Sequence, residues 1–451
     1  MQNWLSLIRL DAGPRYAAIA DAIAGAIRSG ALRPGERLPT HRELAGRLGV
    51  DLTTVTRAYG LVRDAGLVEG AGKLGTFVRN DVALPKFGET ASEAGMNVPP
   101  QPSFNLLPEA IRSGMAALLR SGRHSPILQY QPSIGNISDR ARGAAMLTAR
   151  GIPTRPEQIA ITAGSQHALH GVVAALLKPR DRICCAPFIY PGMIALAKRY
   201  RLQLVAVPSD EEGMLPDALD AALRAGARTI YLTPTIDNPT TATMGQARRG
   251  EIVAVARQHD AIILEDDAYG PLLAEPHPPC AALAPECCWH IAGTSKLISP
   301  VIRIAYVRAP SAREAAMLAT DISETAVMAP PLNAALVSLW HRSGQFAELV
   351  SGVRAESIAR QRIVASQLAS QPYRAHREGY HFWLDLRGRT DADALVARVA
   401  ALGLSAVPGR VFDVSGSARS SHMRVSVGGA IDYHGLERAL SVLAEALASR
   451  A

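Results

Sequence analysis

The sequence predicts an α/β protein in two unequal parts. A winged helix-turn-helix stands first, and a larger domain follows, with a mainly parallel sheet and a smaller C-terminal α+β lobe. Three observations carry this reading. The first eighty residues join helical periodicity to two short strand-like runs. From residue 103 onward, apolar runs of strand length alternate with helical text. Residues able to do chemistry fall at the ends of those runs, where open parallel sheets hold ligands. At 451 residues the chain exceeds one ordinary domain. The boundaries expected are 1–80 for the head, 81–102 for a linker, 103–330 for the sheet domain and 331–451 for the last lobe.

Charged residues make up 20% and hydrophobic ones 48%, a globular composition. No apolar run approaches the roughly 18 residues that span a bilayer. Met1 to Leu10 lacks the pattern of a signal peptide, so no membrane partner and a cytoplasmic place are expected. The five cysteines are odd in number and form no C-x-x-C pair, which argues against a disulfide framework. His277, Cys280, Cys287, Cys288 and His290 cluster, but their spacing matches no ligand pattern, and no metal is expected. Net charge is +8. Residues 1–80 hold eleven Arg or Lys against seven Asp or Glu, a balance of +4, so the head is the basic part and suits a polyanion.

In the head, Pro14 sits where a helix begins without needing its N–H. Tyr16, Ile19, Ala20, Ile23, Ala24 and Ile27 recur at helical spacing, and Gly30 stops that helix. Thr40-His41-Arg42-Glu43 reads as a capping box for a short second helix to Leu48. After the turn Gly49-Val50, a third helix starts near Thr53 with Val55, Tyr59 and Val62 inward and Thr53, Thr54, Thr56 and Arg57 outward. Gly66 to Glu69 and Thr76 to Val78 form a ribbon around a glycine-rich tip with Lys73. Hydroxyls and an arginine on the first turn of such a helix reach phosphates and base edges of double-stranded DNA in the major groove. The text LPTHRELAGRLGVDLTTVTRAYGLVRDAGLVEG, followed by GTFV, resembles the GntR family of bacterial regulators. That resemblance implies that Arg42, Thr53, Thr54, Thr56 and the wing around Gly75 meet DNA. Leu52 stands where the family often has arginine, and the wing reads Gly72-Lys73-Leu74-Gly75 in place of Gly-x-Gly before threonine.

The stretch 80–102 is rich in Pro, Gly, Ala and Ser and reads as a linker, its tail from Met96 to Pro100 open to belonging to the next domain. Beyond it, strand-like runs fall at 159–163, 182–186, 202–207, 229–233, 261–266, 289–293 and 302–307. Ala163-Gly164-Ser165-Gln166-His167 ends a strand and opens a helix, a place for a phosphate. Tyr190 follows the next strand and can stack on a ring. Asn238, in Asp237-Asn238-Pro239-Thr240, can donate to a ring oxygen. Glu265-Asp266-Asp267 ends an apolar strand: Asp266 suits a protonated ring nitrogen, and Asp267 reads as a solvated loop acid. Lys296, in Gly293-Thr294-Ser295-Lys296, precedes Arg303 by seven residues. An amine that forms an imine, a cation for a phosphate and a carboxylate at a strand end are what pyridoxal 5'-phosphate (PLP) needs. Arg424, in a late short strand, can take a carboxylate in two parallel bonds.

The strings AGSQHAL, YLTPTIDNPTTATM, IILEDDAYG and GTSKLISPVIRIAYV resemble fold-type-I PLP-dependent aminotransferases, over nearly all of residues 97–451. The resemblance implies that Lys296 bonds the cofactor's aldehyde and that Asp266 pairs with its ring nitrogen. It implies that Asn238 and Tyr269 bond the ring oxygen, that Tyr190 stacks, and that Ser165, Gln166 and Arg303 hold the phosphate. Tyr130 looks like the tyrosine that reaches a neighbouring subunit's phosphate, and Arg424 like the carboxylate-binding arginine. Gly293 stands where many relatives carry a phosphate-binding serine, so Thr294 or Ser295 is expected to serve instead. Thr241 replaces a glycine common after Asn-Pro-Thr. The whole architecture is similar to the MocR subgroup of GntR regulators. That likeness implies a PLP-binding homodimer that senses a small amino compound, or PLP itself, and engages operator DNA. An active aminotransferase with a DNA-binding appendage, and a dimerisation scaffold without ligand chemistry, are the alternatives.

Overall fold

The computed structural model describes residues 5, 8, 14–28, 31–70, 72, 75–79, 95–102, 106–120, 126–388, 391–416 and 421–448. They fall into two compact units. The helix stop at Gly30 and the wing residue Lys73 lie outside the described residues.

The first unit holds α1 (Arg15–Arg28), α2 (His41–Leu48), α3 (Leu52–Asp64), β1 (Val68–Gly70) and β2 (Thr76–Val78). The capping box at α2 is complete. Glu43 N–H donates to Thr40 Oγ1 at 3.3 Å, and Thr40 N–H donates to Glu43 Oε2 at 2.8 Å. Gly49, at φ 62, ends α2 in the left-handed region that glycine tolerates. Asp51 then caps α3, accepting from Thr53 N–H at 2.7 Å. β1 and β2 pair antiparallel, Val68 opposite Val78. Ile19, Ile23, Leu44, Val55, Tyr59, Val62, Val68 and Val78 close one apolar core. The Tyr59 hydroxyl, buried within it, donates to Pro39 O at 2.6 Å. These are the parts of a winged helix-turn-helix.

The second unit is built on a seven-stranded sheet. Its strands are β3 (Ile159–Thr162), β4 (Arg182–Cys185), β5 (Gln203–Ala206), β8 (Thr229–Leu232), β9 (Ile262–Asp266), β10 (Cys288–Gly293) and β11 (Ala305–Arg308), with a small hairpin β6 (Ser209–Asp210) and β7 (Gly213–Met214) outside it. The order is β3-β11-β10-β9-β8-β4-β5. β11 alone runs against its neighbours β10 and β3; the pairings β10–β9, β9–β8, β8–β4 and β4–β5 are parallel. Its run was expected from Ile302. It starts at Ala305 because Arg303 takes φ 51 and turns the chain first. Four strands of β3 to β11 are buried at every position, as a sheet covered on both faces requires. After the 23-residue helix Gln345–Gln367 comes an antiparallel sheet, β12 (Tyr373–Ala375), β13 (His381–Asp385), β15 (His422–Ser426) and β14 (Ser405–Pro408), in that order.

The linker's tail, Met96 to Pro100, clusters with this second unit, together with Gly95. Asn97 is buried there, because its side chain bonds to three other residues of the unit. No helix among the described residues is long and apolar enough to cross a membrane.

Candidate functional site

Lys296 follows β10 and Asp266 ends β9, so neighbouring parallel strands deliver both at one sheet end. Lys296 Nζ donates to the carbonyl of Asn97. Burial, then the Arg424 cation, push its amine down to about 8; Asp266 pulls the other way. Asp266 is buried. Its Oδ2 accepts from the Tyr231 hydroxyl at 3.1 Å, and its Oδ1 has no partner. Burial pushes its carboxyl up to about 6. A buried carboxylate with an orphan oxygen is costly unless a cation or donor meets it.

Opposite, Gly164 (φ 87) caps the helix Ser165–Leu176, leaving its first N–H groups free of any side-chain cap. Arg303 packs over that glycine, its Nη2 donating to Ala163 O at 3.2 Å. A Cβ on Gly293 would lie 2.2 Å from Ser165 Oγ. The glycine that departs from the family pattern is thus what lets Ser165 sit there. Of the two expected substitutes, Thr294 spends its buried hydroxyl on Ile304 O at 2.8 Å. Ser295 stays partly buried beside it. Gln166 Nε2 donates to Gly192 O at 3.3 Å, while its Oε1 has no partner. A Cβ on Gly192 would strike both Gln166 and the Tyr190 ring. A helix N-terminus, a hydroxyl and a guanidinium therefore converge on one cradle.

Arg424 is nine-tenths buried or more, yet among the described residues no carboxylate meets it. Nη1 donates to Asn238 Oδ1 at 3.1 Å, Nη2 to the carbonyl of Gly95, and Nε to nothing. Burial pushes its guanidinium down to about 10. Tyr269 OH accepts from Asn97 Nδ2 at 2.8 Å, and the Tyr380 hydroxyl donates to Lys296 O at 3.0 Å. Lys296, Asp266, Arg303, Arg424, Asn238, Tyr269 and Tyr190 thus share one site. Tyr130 stands apart from it, 84% exposed.

Asp267 corrects the sequence reading. It is not a solvated loop acid but 1% exposed. Arg150 Nη2 donates to its Oδ2 at 2.6 Å. Burial pushes its carboxyl up, but Arg150 and His290 outweigh that and hold it below the usual range. Glu265 is fully buried too, taking His290 Nδ1 at 2.7 Å and the N–H groups of Cys280 and Ala281. Three of the Cys and His cluster, Cys280, Cys288 and His290, thus meet a carboxylate. Among the described residues no group of His, Cys, Asp and Glu side chains is arranged to hold a metal ion.

Sequence reasoning missed Asn97, Tyr231, His381 and Arg150. Tyr231 alone carried a signal, since a tyrosine in an apolar strand needs a partner for its hydroxyl.

On the head, Arg42, Thr53, Thr56 and Arg57 are exposed, and Thr54 half so. Several are already engaged. Thr53 Oγ1 donates to Asp51 at 2.5 Å and Thr56 Oγ1 to Leu52 O at 2.9 Å. The Arg57 guanidinium lies 3.8 Å from the Tyr16 ring centroid. Leu52 is 42% exposed on the same helix start. At the wing, Gly75 takes φ 116, and Arg37 packs where a side chain would go.

Residues 95–443 match the family model for class I and II aminotransferases, and residues 15–78 match that for bacterial regulatory proteins of the gntR family. The chain belongs to the class I and II aminotransferase family and, with its GntR head, to the MocR-type regulators. YdeF, an uncharacterized HTH-type transcriptional regulator of Bacillus subtilis (strain 168), is 27% identical over 98% of this chain and 96% of its own length. The HTH-type pyridoxine biosynthesis transcriptional regulator PdxR of Corynebacterium glutamicum is 31% identical over 67% of each chain. Among solved structures, LysN, the alpha-aminoadipate aminotransferase of Thermus thermophilus, superposes with a TM-score of 0.70 at 26% identity. It covers 79% of this chain and 92% of that one, and it was crystallised with N-(5'-phosphopyridoxyl)-L-leucine. The fold is that of PLP aminotransferases joined to a DNA-binding head of the gntR type.

Proposed function

We propose that the chain is a transcriptional regulator that binds PLP at Lys296, senses a carboxylate-bearing amine, or PLP itself, and engages operator DNA as a homodimer in the cytoplasm. One observation carries the reading. Buried Asp266 and Arg424 share one site with half-buried Lys296, and Asp266 Oδ1 and Arg424 Nε each lack a partner that PLP and an amino acid together supply. The orphan Oδ1 of Asp266 suits a ring N–H. The cradle of Ser165, Arg303 and the helix start suits a phosphate, with Gln166 and Ser295 at its edge. With Oδ1 turned to Arg424, Asn238 presents its amide N–H toward a ring oxygen, and Tyr269 offers its hydroxyl. Tyr190 closes one ring face. Arg424 holds its free Nε toward a carboxylate.

When bound, PLP supplies an aldehyde that exchanges amines and a ring that draws electrons from them. The chain does the rest. Asp266 keeps the ring proton in place, Lys296 gives up and takes back a proton at Nζ, and Arg424 orients the incoming amine through its carboxylate. LysN holds a phosphopyridoxyl amino acid, which supports this ligand class. Exposed Leu128, Tyr130, Ile137, Val301 and Val327 in the second unit support a homodimer, with Tyr130 reaching the partner's phosphate. On the head, Arg42, Thr53, Thr54, Thr56, Arg57 and the wing with Lys73 and Gly75 form the proposed DNA face. For switching, the amine must favour one DNA-binding pose, by about 1–3 kcal/mol in typical couplings.

The test is a gel shift on the protein's promoter fragment with PLP and a screen of amino compounds. A change in affinity that Lys296→Ala abolishes is expected. Promoter binding that ignores every amine, with PLP intact, would overturn the sensing. A second reading, an active aminotransferase, is favoured by Lys296, Asp266 and Arg424 standing together in one site. Steady multiple turnovers with an amino donor and a keto acid would establish it.

A further inference from the structure

We propose that residues 95–98 are a strap that holds the places of the site's two ligands with its own carbonyls, and that loading the site releases it toward the linker. This rests on the function proposed above and names the regulation of that same site.

Three of the site's residues bond to this one short segment. Lys296 Nζ donates to Asn97 O, and Arg424 Nη2 to Gly95 O. The Tyr269 hydroxyl accepts from Asn97 Nδ2 at 2.8 Å. The small lobe pins the same segment. Ser426 Oγ donates to Asn97 Oδ1 at 2.6 Å, and Gly429 N–H to Val98 O at 3.1 Å. Gly95 takes φ 122, and a Cβ there would lie 2.8 Å from Val407 Cγ2, so glycine is required for the fit. A Cβ on Gly428 would lie 1.8 Å from Val98 O, so the strap lies directly on that backbone.

Both carbonyls occupy ligand positions. Lys296, once unprotonated, condenses with an aldehyde carbon. One C=N bond forms, and the aldehyde oxygen leaves as water with both hydrogens of the amine. In the neutral imine, Nζ then has no hydrogen left for Asn97 O. A carboxylate that grips Arg424 side-on needs Nε and Nη2 together. Nε is free, and Nη2 spends one of its two hydrogens on Gly95 O, so a carboxylate that takes the other sets an anionic oxygen beside that carbonyl and repels it. Loading therefore removes the Lys296 tie and weakens the Arg424 tie of a segment that the chain continues, through residues 80–94, to the head. A displaced backbone stretch is a direct way for site occupancy to alter the linker, since the two are covalently one strand of chain.

Hydrogen–deuterium exchange of the full-length protein over residues 95–98 tests this. The probes are PLP, N-(5'-phosphopyridoxyl)-L-alanine and the same adduct of ethylamine, which lacks only the carboxylate. Borohydride trapping at Lys296 and adduct binding by fluorescence are followed in parallel. Exchange is expected to rise about tenfold with PLP and with the alanine adduct, and to rise less with the ethylamine adduct. Ser426→Ala is expected to raise exchange without any ligand, while trapping at Lys296 persists. If PLP traps and both adducts bind but exchange stays at the unliganded rate, the strap is overturned and the proposed function stands. If neither PLP nor the adducts bind, both fall together.

Discussion

At the scale of single residues, burial sets the chemistry of the site. A lysine in water is almost wholly protonated at neutral pH, whereas burial and Arg424 bring Lys296 to about 8. The rate of PLP capture is therefore expected to climb roughly tenfold per pH unit up to about pH 8 and then level off. Stopped-flow absorbance reads this directly, and a climb continuing past pH 10 would contradict it. Asp267 belongs to the same scale but to stability. Its carboxyl is held low in the fold, so its contribution is present above the unfolded value and lost as pH falls through the folded one. Arg150→Ala strands that buried charge and should cost about 3–5 kcal/mol at pH 7. The deficit should be smaller at about pH 4, because the buried acid without its arginine takes up a proton more readily than the paired one. Urea unfolding at the two pH values measures both.

At the scale of elements, the chain announced its helix starts and strand ends better than its networks. The capping box Thr40 to Glu43 was legible because it is local, four residues satisfying each other's backbone groups. The sheet was legible because strands buried on both faces must be apolar throughout. Lys296, Asp266 and Asn238 were legible as candidates because each stands at a strand end or follows one, and Arg303 because it lies just before one. Asp267 could not, since the partner that makes it structural, Arg150, lies 117 residues away and leaves no local mark. Asn97 was hidden for the same reason: its partners lie between 172 and 329 positions onward. The run at Ile302 misled because the left-handed turn at Arg303 is tertiary in origin. On the head, the third helix begins one residue before Thr53, behind a cap at Asp51. Asp51→Ala is expected to cost the head about 1 kcal/mol by removing that cap. It also frees the Thr53 hydroxyl, so operator affinity should fall less than the loss of an arginine such as Arg42 would cause. Thermal unfolding and gel shifts on the two variants separate these effects.

At the scale of the whole molecule, two family models meet in one chain, 15–78 and 95–443, with sixteen residues between their matched ranges. In the proposed function that joint is where sensing becomes DNA binding, and the second unit places its own chemical groups against the residues just past it. Site and linker are therefore not separate problems. The claim on which the rest depends is that Lys296 carries the cofactor. The chain has only five lysines, Lys73, Lys86, Lys178, Lys198 and Lys296, so the decisive measurement is clean. Full-length protein is incubated with PLP, reduced with borohydride, digested and read by mass spectrometry. A single phosphopyridoxyl group on the peptide holding Lys296, lost in Lys296→Ala, is the result expected. An adduct spread over the other four lysines, or none at all, would contradict the account.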